Sequence, residues 1–129
     1  MLLDLQPEML RKARARAPSA SQITGVAANA SGLPFRAGTF DVVYMVTVFG
    51  EVSHQAEMLA EVRRVLTRGG VLSISEHFPD FDFAAFSRVR RYVERHGFEL
   101  HRRVGPPWSY TVNFKKTLTD SPTGTTSIR

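Results

Sequence analysis

The stretch LPFRAGTFDVVYMVTVFGEVSHQAEMLAEVRRVLTRGGVLSISE, residues 33–76, decides the fold. Its segment 40–49 is almost wholly apolar or aromatic and rich in β-branched residues, as a strand buried on both faces would be. Ser53 is placed to cap a following helix. Met58, Leu59, Val62, Val65 and Leu66 then recur at helical spacing, and Gly69-Gly70 closes that helix. Residues 71–75 read as a second buried strand. A strand, a helix and a strand in this order predict an α/β domain with a mostly parallel sheet.

Working outward, residues 1–5 form a short apolar run, and Pro7 suits the first turn of a helix with Glu8 beside it. Met9, Leu10, Ala13 and Ala17 point that helix toward a core, and Pro18 stops it. Residues 22–27 read as a further strand and 29–38 as turns. Downstream, Asp82 can cap a helix running to His96 with the apolar stripe Phe83, Phe86, Val89 and Val93, and Gly97 fits its end. Segments 99–104 and 110–115 flank Gly105-Pro106-Pro107, a spacing that predicts an antiparallel hairpin. One domain over 1–116 is expected, with 117–129 a disordered tail rich in Thr, Ser and Gly.

The 129 residues exclude two full domains. The absence of cysteine excludes disulfide scaffolds, thiolate zinc sites, iron–sulfur clusters and cysteine nucleophiles. His54, His77, His96 and His101 do not stand at metal-ligand spacing, so no metal site is expected. No apolar run approaches the ~20 residues of a membrane-spanning helix. A cytoplasmic protein without a membrane partner is therefore expected. The net charge of +5 is mild. Arg88, Arg90, Arg91 and Arg95 follow the polar face of the predicted helix, and with Arg102 and Arg103 they read as a solvated surface. No aromatic-interleaved motif accompanies them, so no nucleic-acid partner is expected.

Over residues 1–116 the chain resembles the class I S-adenosylmethionine-dependent methyltransferases. LPF at 33–35, FDVV at 40–43, RVL at 64–66 and Gly69-Gly70 match the family pattern in order and without gaps. LDLQPEML at 3–10 resembles the family's segment at the end of its second strand, and the closing hairpin resembles its sixth and seventh strands. The resemblance implies a Rossmann-like, mostly parallel sheet with helices on both faces and a C-terminal antiparallel hairpin, incomplete at the N-terminus. It also implies S-adenosylmethionine as cofactor and methyl transfer to a small-molecule acceptor.

One departure stands out. The family's first strand ends in a glycine-rich loop, roughly G-x-G-x-G, and lies mid-sheet between the second and fourth strands. None of the nine glycines here stands in a G-x-G arrangement, and the resemblance begins at the second strand. An interior strand supplies ladder hydrogen bonds on both sides, so its loss leaves two bare edges. The second and fourth strands can pair directly, a second copy can insert a strand, or the chain is a fragment or begins at an internal start codon. The bare edges predict a homo-oligomer. The absent loop sets an alternative function: a non-catalytic methyltransferase-like remnant, or an oligomeric interaction module with weak or no cofactor binding.

The resemblance also assigns cofactor-binding residues, each beside a plainer role. Asp4 stands where the family's acidic residue accepts hydrogen bonds from both ribose hydroxyls; a solvated aspartate favoured by a helix N-terminus is the other reading. Leu5 would flank the adenine or serve the core. Asn29 stands where relatives hold the adenine amino group, with the Ala30 N–H for a ring nitrogen; an Asn also simply suits a turn. Thr47 lies with Val46 and Val48 near the end of the fourth strand, where ligands lie in open α/β sheets. Glu51 and His77 are candidate bases, against plain surface and loop roles, and no catalytic residue is assigned. Trp108 and Tyr110 read as core or rim aromatics.

Overall fold

The computed structural model describes residues 2–4, 7–16, 25–27, 30–46, 54–79 and 83–118. Strands β1 (Leu2–Asp4) and β2 (Gly25–Ala27) pair in parallel, joined through helix α1 (Pro7–Arg16), which packs on both. A second, mixed sheet contains β3 (Phe40–Val46), β4 (Leu66–His77), β5 (Phe98–Val104) and β6 (Ser109–Lys116) in the order β3-β4-β6-β5. β3 runs parallel to β4, while β4–β6 and β5–β6 are antiparallel. Helices α2 (Gln55–Val65) and α3 (Phe86–Glu94) fall on either side of β4 in sequence.

The core follows from strand alternation and helical spacing meeting on one face. Met45, Leu72, Ile74, Val112 and Phe114 point to the same side of the larger sheet, where Met58, Leu59 and Val62 of α2 and Val89 and Val93 of α3 cover them. Polar groups tie the ends of this layer. The Arg63 guanidinium donates to the carbonyls of Gly97 and Thr117, both at 3.2 Å, and Lys116 Nζ donates to the Leu66 carbonyl at 2.9 Å. Gly97, at φ +90°, leaves room for that guanidinium: a Cβ there would stand 2.3 Å from Arg63 Nε.

β1 and β3, the strands that the resemblance sets on either side of the family's first strand, lie in separate sheets, and among the described residues they do not pair directly.

Several local expectations need correction. Segment 40–49 was expected to be buried on both faces; in β3, Met45 is buried but Val42, Tyr44 and Val46 are exposed, because α2 and α3 cover one face only. No residue of α1 is buried: Met9 is exposed and Leu10 and Ala13 are half-buried, since a small two-stranded sheet offers little to cover them. Gly69-Gly70 does not end α2. The helix stops at Val65 and the chain passes straight into β4, with both glycines in an irregular stretch between the Phe40–Leu66 and Val42–Val71 pairs. His54, not Ser53, occupies the helix N-cap, without a side-chain cap bond. Helix α3 begins at Phe86, so Asp82 falls short of it. Residues 17–24, 28–29, 47–53, 80–82 and 119–129, with the expectations that rest on them, lie outside the described residues.

Candidate functional site

Parallel strands bring their carboxyl ends to one edge of a sheet, and ligands of open α/β sheets bind there. Asp4 is the last residue of β1 and is in register with Ala27, the last of β2. Val46 ends β3 and is in register with Ser75 of β4. Ala30 is half-buried against the core, so the turn that carries it is anchored. Leu5, Asn29 and Thr47 lie outside the described residues, as does Glu51.

The segment between β2 and β3 is held by one ion pair. Glu61 Oε1 accepts from the Leu33 N–H at 2.9 Å, and its carboxylate meets Arg64 Nε at 2.8 Å. Arg64 in turn donates to the carbonyls of Phe35 and Leu33 at 2.8 and 2.9 Å. The Arg64 hydrogen bond, aided by the Leu33 N–H, holds the Glu61 carboxyl below the ordinary glutamate range against a smaller opposing effect of burial. The LPF motif is thus a docked strap with both ends bonded to α2.

A second group of polar residues lies at the carboxyl end of β4. Strand alternation sends Ser75 and His77 to one face and Glu76 to the other. Ser75 Oγ lies 2.6 Å from Thr111 Oγ1 and 3.5 Å from Tyr44 Oη, the longer contact being weak. His77 Nδ1 bonds Ser109 Oγ at 2.8 Å on the exposed rim. An imidazole fixed through one nitrogen presents the other to a ligand. Glu76 is fully buried on the opposite face, and its Oε2 accepts from the Ala84 N–H at 3.3 Å. Tyr110 donates to the Ala84 carbonyl. Burial, then the Glu76 charge, push the Tyr110 phenol well above its ordinary pKa, so it remains a donor. Glu76 and Tyr110 therefore brace the loop before α3, whereas His77 and Ser109 bond each other on the exposed rim.

Sequence reading singled out His77 but missed Ser109, Thr111 and Tyr44. The hairpin register was the available signal. Once β6 runs antiparallel to β4, Ser109 and Thr111 fall opposite His77 and Ser75.

S-adenosylmethionine has an adenosine half and a methionine half to hold. Asp4 and Ala27 share one register position at the strand ends where the resemblance sets the first. The residues directly after β1, β2 and β3 lie outside the described residues.

Comparison with known proteins agrees with this architecture. The model of the methyltransferase domain family matches residues 1–74. An uncharacterized protein of Mycobacterium tuberculosis is 41% identical over 92 residues, covering 69% of this chain and 33% of that protein. The ubiquinone/menaquinone biosynthesis C-methyltransferase UbiE of Ralstonia pickettii is 31% identical over 108 residues, covering 83% of this chain and 40% of that enzyme. The chain thus spans well under half the length of these curated relatives. Among solved structures, a SAM-dependent methyltransferase from Aquifex aeolicus shares the fold with a TM-score of 0.76 at 20% identity, covering 89% of this chain and 67% of that one. The relatives favour methyl transfer over a non-catalytic module as the family-level function. With its strand order, its LPF–FDVV–RVL series and its match over more than half its length, the chain belongs to the class I S-adenosylmethionine-dependent methyltransferase family.

Proposed function

We propose that this chain contributes the adenosine-side and acceptor-side residues of a methyltransferase acting on a small-molecule acceptor. The observation that carries the reading is the register of Asp4 with Ala27 at the open end of a parallel pair, where a carboxylate meets ribose hydroxyls. Asp4, Leu5, Asn29, Ala30 and Thr47 are the residues assigned to the cofactor. The likeness to the Ralstonia C-methyltransferase of ubiquinone/menaquinone biosynthesis supports an acceptor methylated at carbon. The exposed His77–Ser109 pair supplies a polar contact for such an acceptor.

With half the cofactor held, affinity is weak. A few net hydrogen bonds give a Kd of about 0.1 mM or above. Titration calorimetry with S-adenosylmethionine and its demethylated product tests this. Asp4→Ala is expected to weaken whatever binding is seen by ~1.5–3 kcal/mol, the range for hydrogen bonds to a charged group. An unchanged affinity would remove Asp4 from the site and leave it a charge near α1.

A further inference from the structure

The end of the larger sheet carries three of the most exposed large apolar side chains of the molecule, and two of them share a hydrogen bond. Phe78 is 63% exposed, Trp108 62% and Val104 54%. The Phe78 N–H donates to the Trp108 carbonyl at 2.7 Å, which fixes the β4 exit loop against the β5–β6 hairpin. Monomeric proteins leave single apolar residues exposed freely, but a contiguous group with aromatic members marks an interaction site.

The hairpin tip is built to stay in shape. Gly105 takes φ +102°, and a Cβ there would stand 2.3 Å from the Ser109 carbonyl oxygen, so the turn needs glycine. The Ser109 N–H closes the turn on the Pro106 carbonyl at 3.1 Å. Pro106 and Pro107 have no N–H to leave unsatisfied in an apolar medium. A rigid, donor-poor turn bearing a tryptophan loses little on entering the headgroup region of a bilayer, where indole rings concentrate.

Charge selects the occupant. Arg102 and Arg103 are exposed just behind Val104 on β5. Arg103 lies 4.6 Å above the Phe86 ring, so its position is set, and among the described residues no carboxylate forms an ion pair with either guanidinium. The acidic residue of this strand, Glu99, sits at its far end opposite Lys115. Asp80 and Asp82 follow Phe78 in the sequence, outside the described residues. Apolar and aromatic residues at a tip with arginines behind them match a surface of anionic phospholipid: side chains enter the interface and guanidinium groups meet phosphates.

We propose that the β5–β6 hairpin tip, with Phe78, docks this protein on an anionic lipid surface, Trp108 entering the interface and Arg102 and Arg103 holding the headgroups. This is peripheral contact. The expectation of no membrane partner rested on the lack of a spanning segment, and among the described residues no helix is long and apolar enough to cross a bilayer. The proposal stands apart from the cofactor reading, since it uses neither Asp4 nor methyl transfer.

Trp108 is the single tryptophan, so its emission reports the tip alone. The full chain is titrated with vesicles of phosphatidylcholine and phosphatidylglycerol in equal parts, and with phosphatidylcholine alone. The expected result is a blue shift and protection from acrylamide on the anionic vesicles, weaker on the neutral ones and reduced by salt. Arg102→Glu is expected to weaken binding about tenfold or more, on roughly fivefold per arginine at the surface. Val104→Asp should reduce the blue shift, with circular dichroism showing a retained fold; Arg102→Gln gives a milder second variant. Three outcomes would overturn the proposal: no sedimentation with anionic vesicles, sedimentation with Trp108 emission unchanged, or the same blue shift produced without lipid by raising protein concentration. The last would assign the tip to contact between copies.

Discussion

At the scale of single residues, the clearest dependence is that of the LPF strap on Glu61. Its carboxyl is held below the ordinary glutamate range, about 4.3, by Arg64. A depressed folded pKa adds stability that is present above the unfolded pKa and is lost as pH falls through the folded one. Glu61→Gln is therefore expected to cost up to about 1 kcal/mol at neutral pH, chiefly through the charged hydrogen bond to Arg64 and then that from the Leu33 N–H. The gap between wild type and variant should narrow as pH falls below the ordinary carboxylate range. Urea unfolding across that range measures it, and a pH-independent gap would show that the charge is idle. Nothing in the sequence marked this pair. Glu61 and Arg64 stand three apart on one helix face, but their partners Leu33 and Phe35 are set by tertiary folding. The strand end at Asp4 was legible for the opposite reason, since a short apolar run before Pro7 is displayed by the local sequence.

At the scale of elements, β3 separates what periodicity can and cannot tell. An unbroken apolar run announces a strand, but it cannot say which face finds a cover. Here Met45 is buried, while Val42 and Val46 face away from α2 and α3. Met45→Lys is expected to cost about 3 kcal/mol or more, as a charge placed in the core. In the dissociated chain Val42→Lys should change stability by no more than about 0.5 kcal/mol, as substitutions on an open surface do. Denaturant midpoints of the two variants test the contrast, and equal losses would show that the outer face is covered in solution. The helical stripe of α2 and the antiparallel hairpin were fully readable, since each is a local pattern of spacing or of turn chemistry. The end of α2 was misread because Gly69-Gly70 resembles a helix stop wherever it occurs, and here it serves an irregularity of the β3–β4 ladder.

At the scale of the whole molecule, among the described residues β3 has one bonded neighbour and β1 pairs only with β2. The open face of β3 adds Val42, Tyr44 and Val46, and Asn113 Oδ1 is buried without a hydrogen-bond partner among the described residues. Bare edges and apolar faces do not stay exposed in water. Sedimentation at micromolar concentration is expected to show a dimer or larger species; a 14.4 kDa monomer with cooperative unfolding would refute it. The division into two sheets also bears on how long each backbone amide keeps its proton. β4 is bonded on both sides, by β3 and β6, and residues 72–76 are all buried, whereas β1 and β2 are three residues each and share one ladder. Opening the small sheet breaks few bonds and exposes little core, while opening β4 dismantles the whole layer. In deuterium the amides of Leu3 and Val26 should therefore exchange through local fluctuation long before that of Ile74, whose rate should follow global unfolding. The edge assigned to adenosine would thus be the part of the molecule that loosens first, and any ligand that holds it there would be visible as a slowing of those early amides.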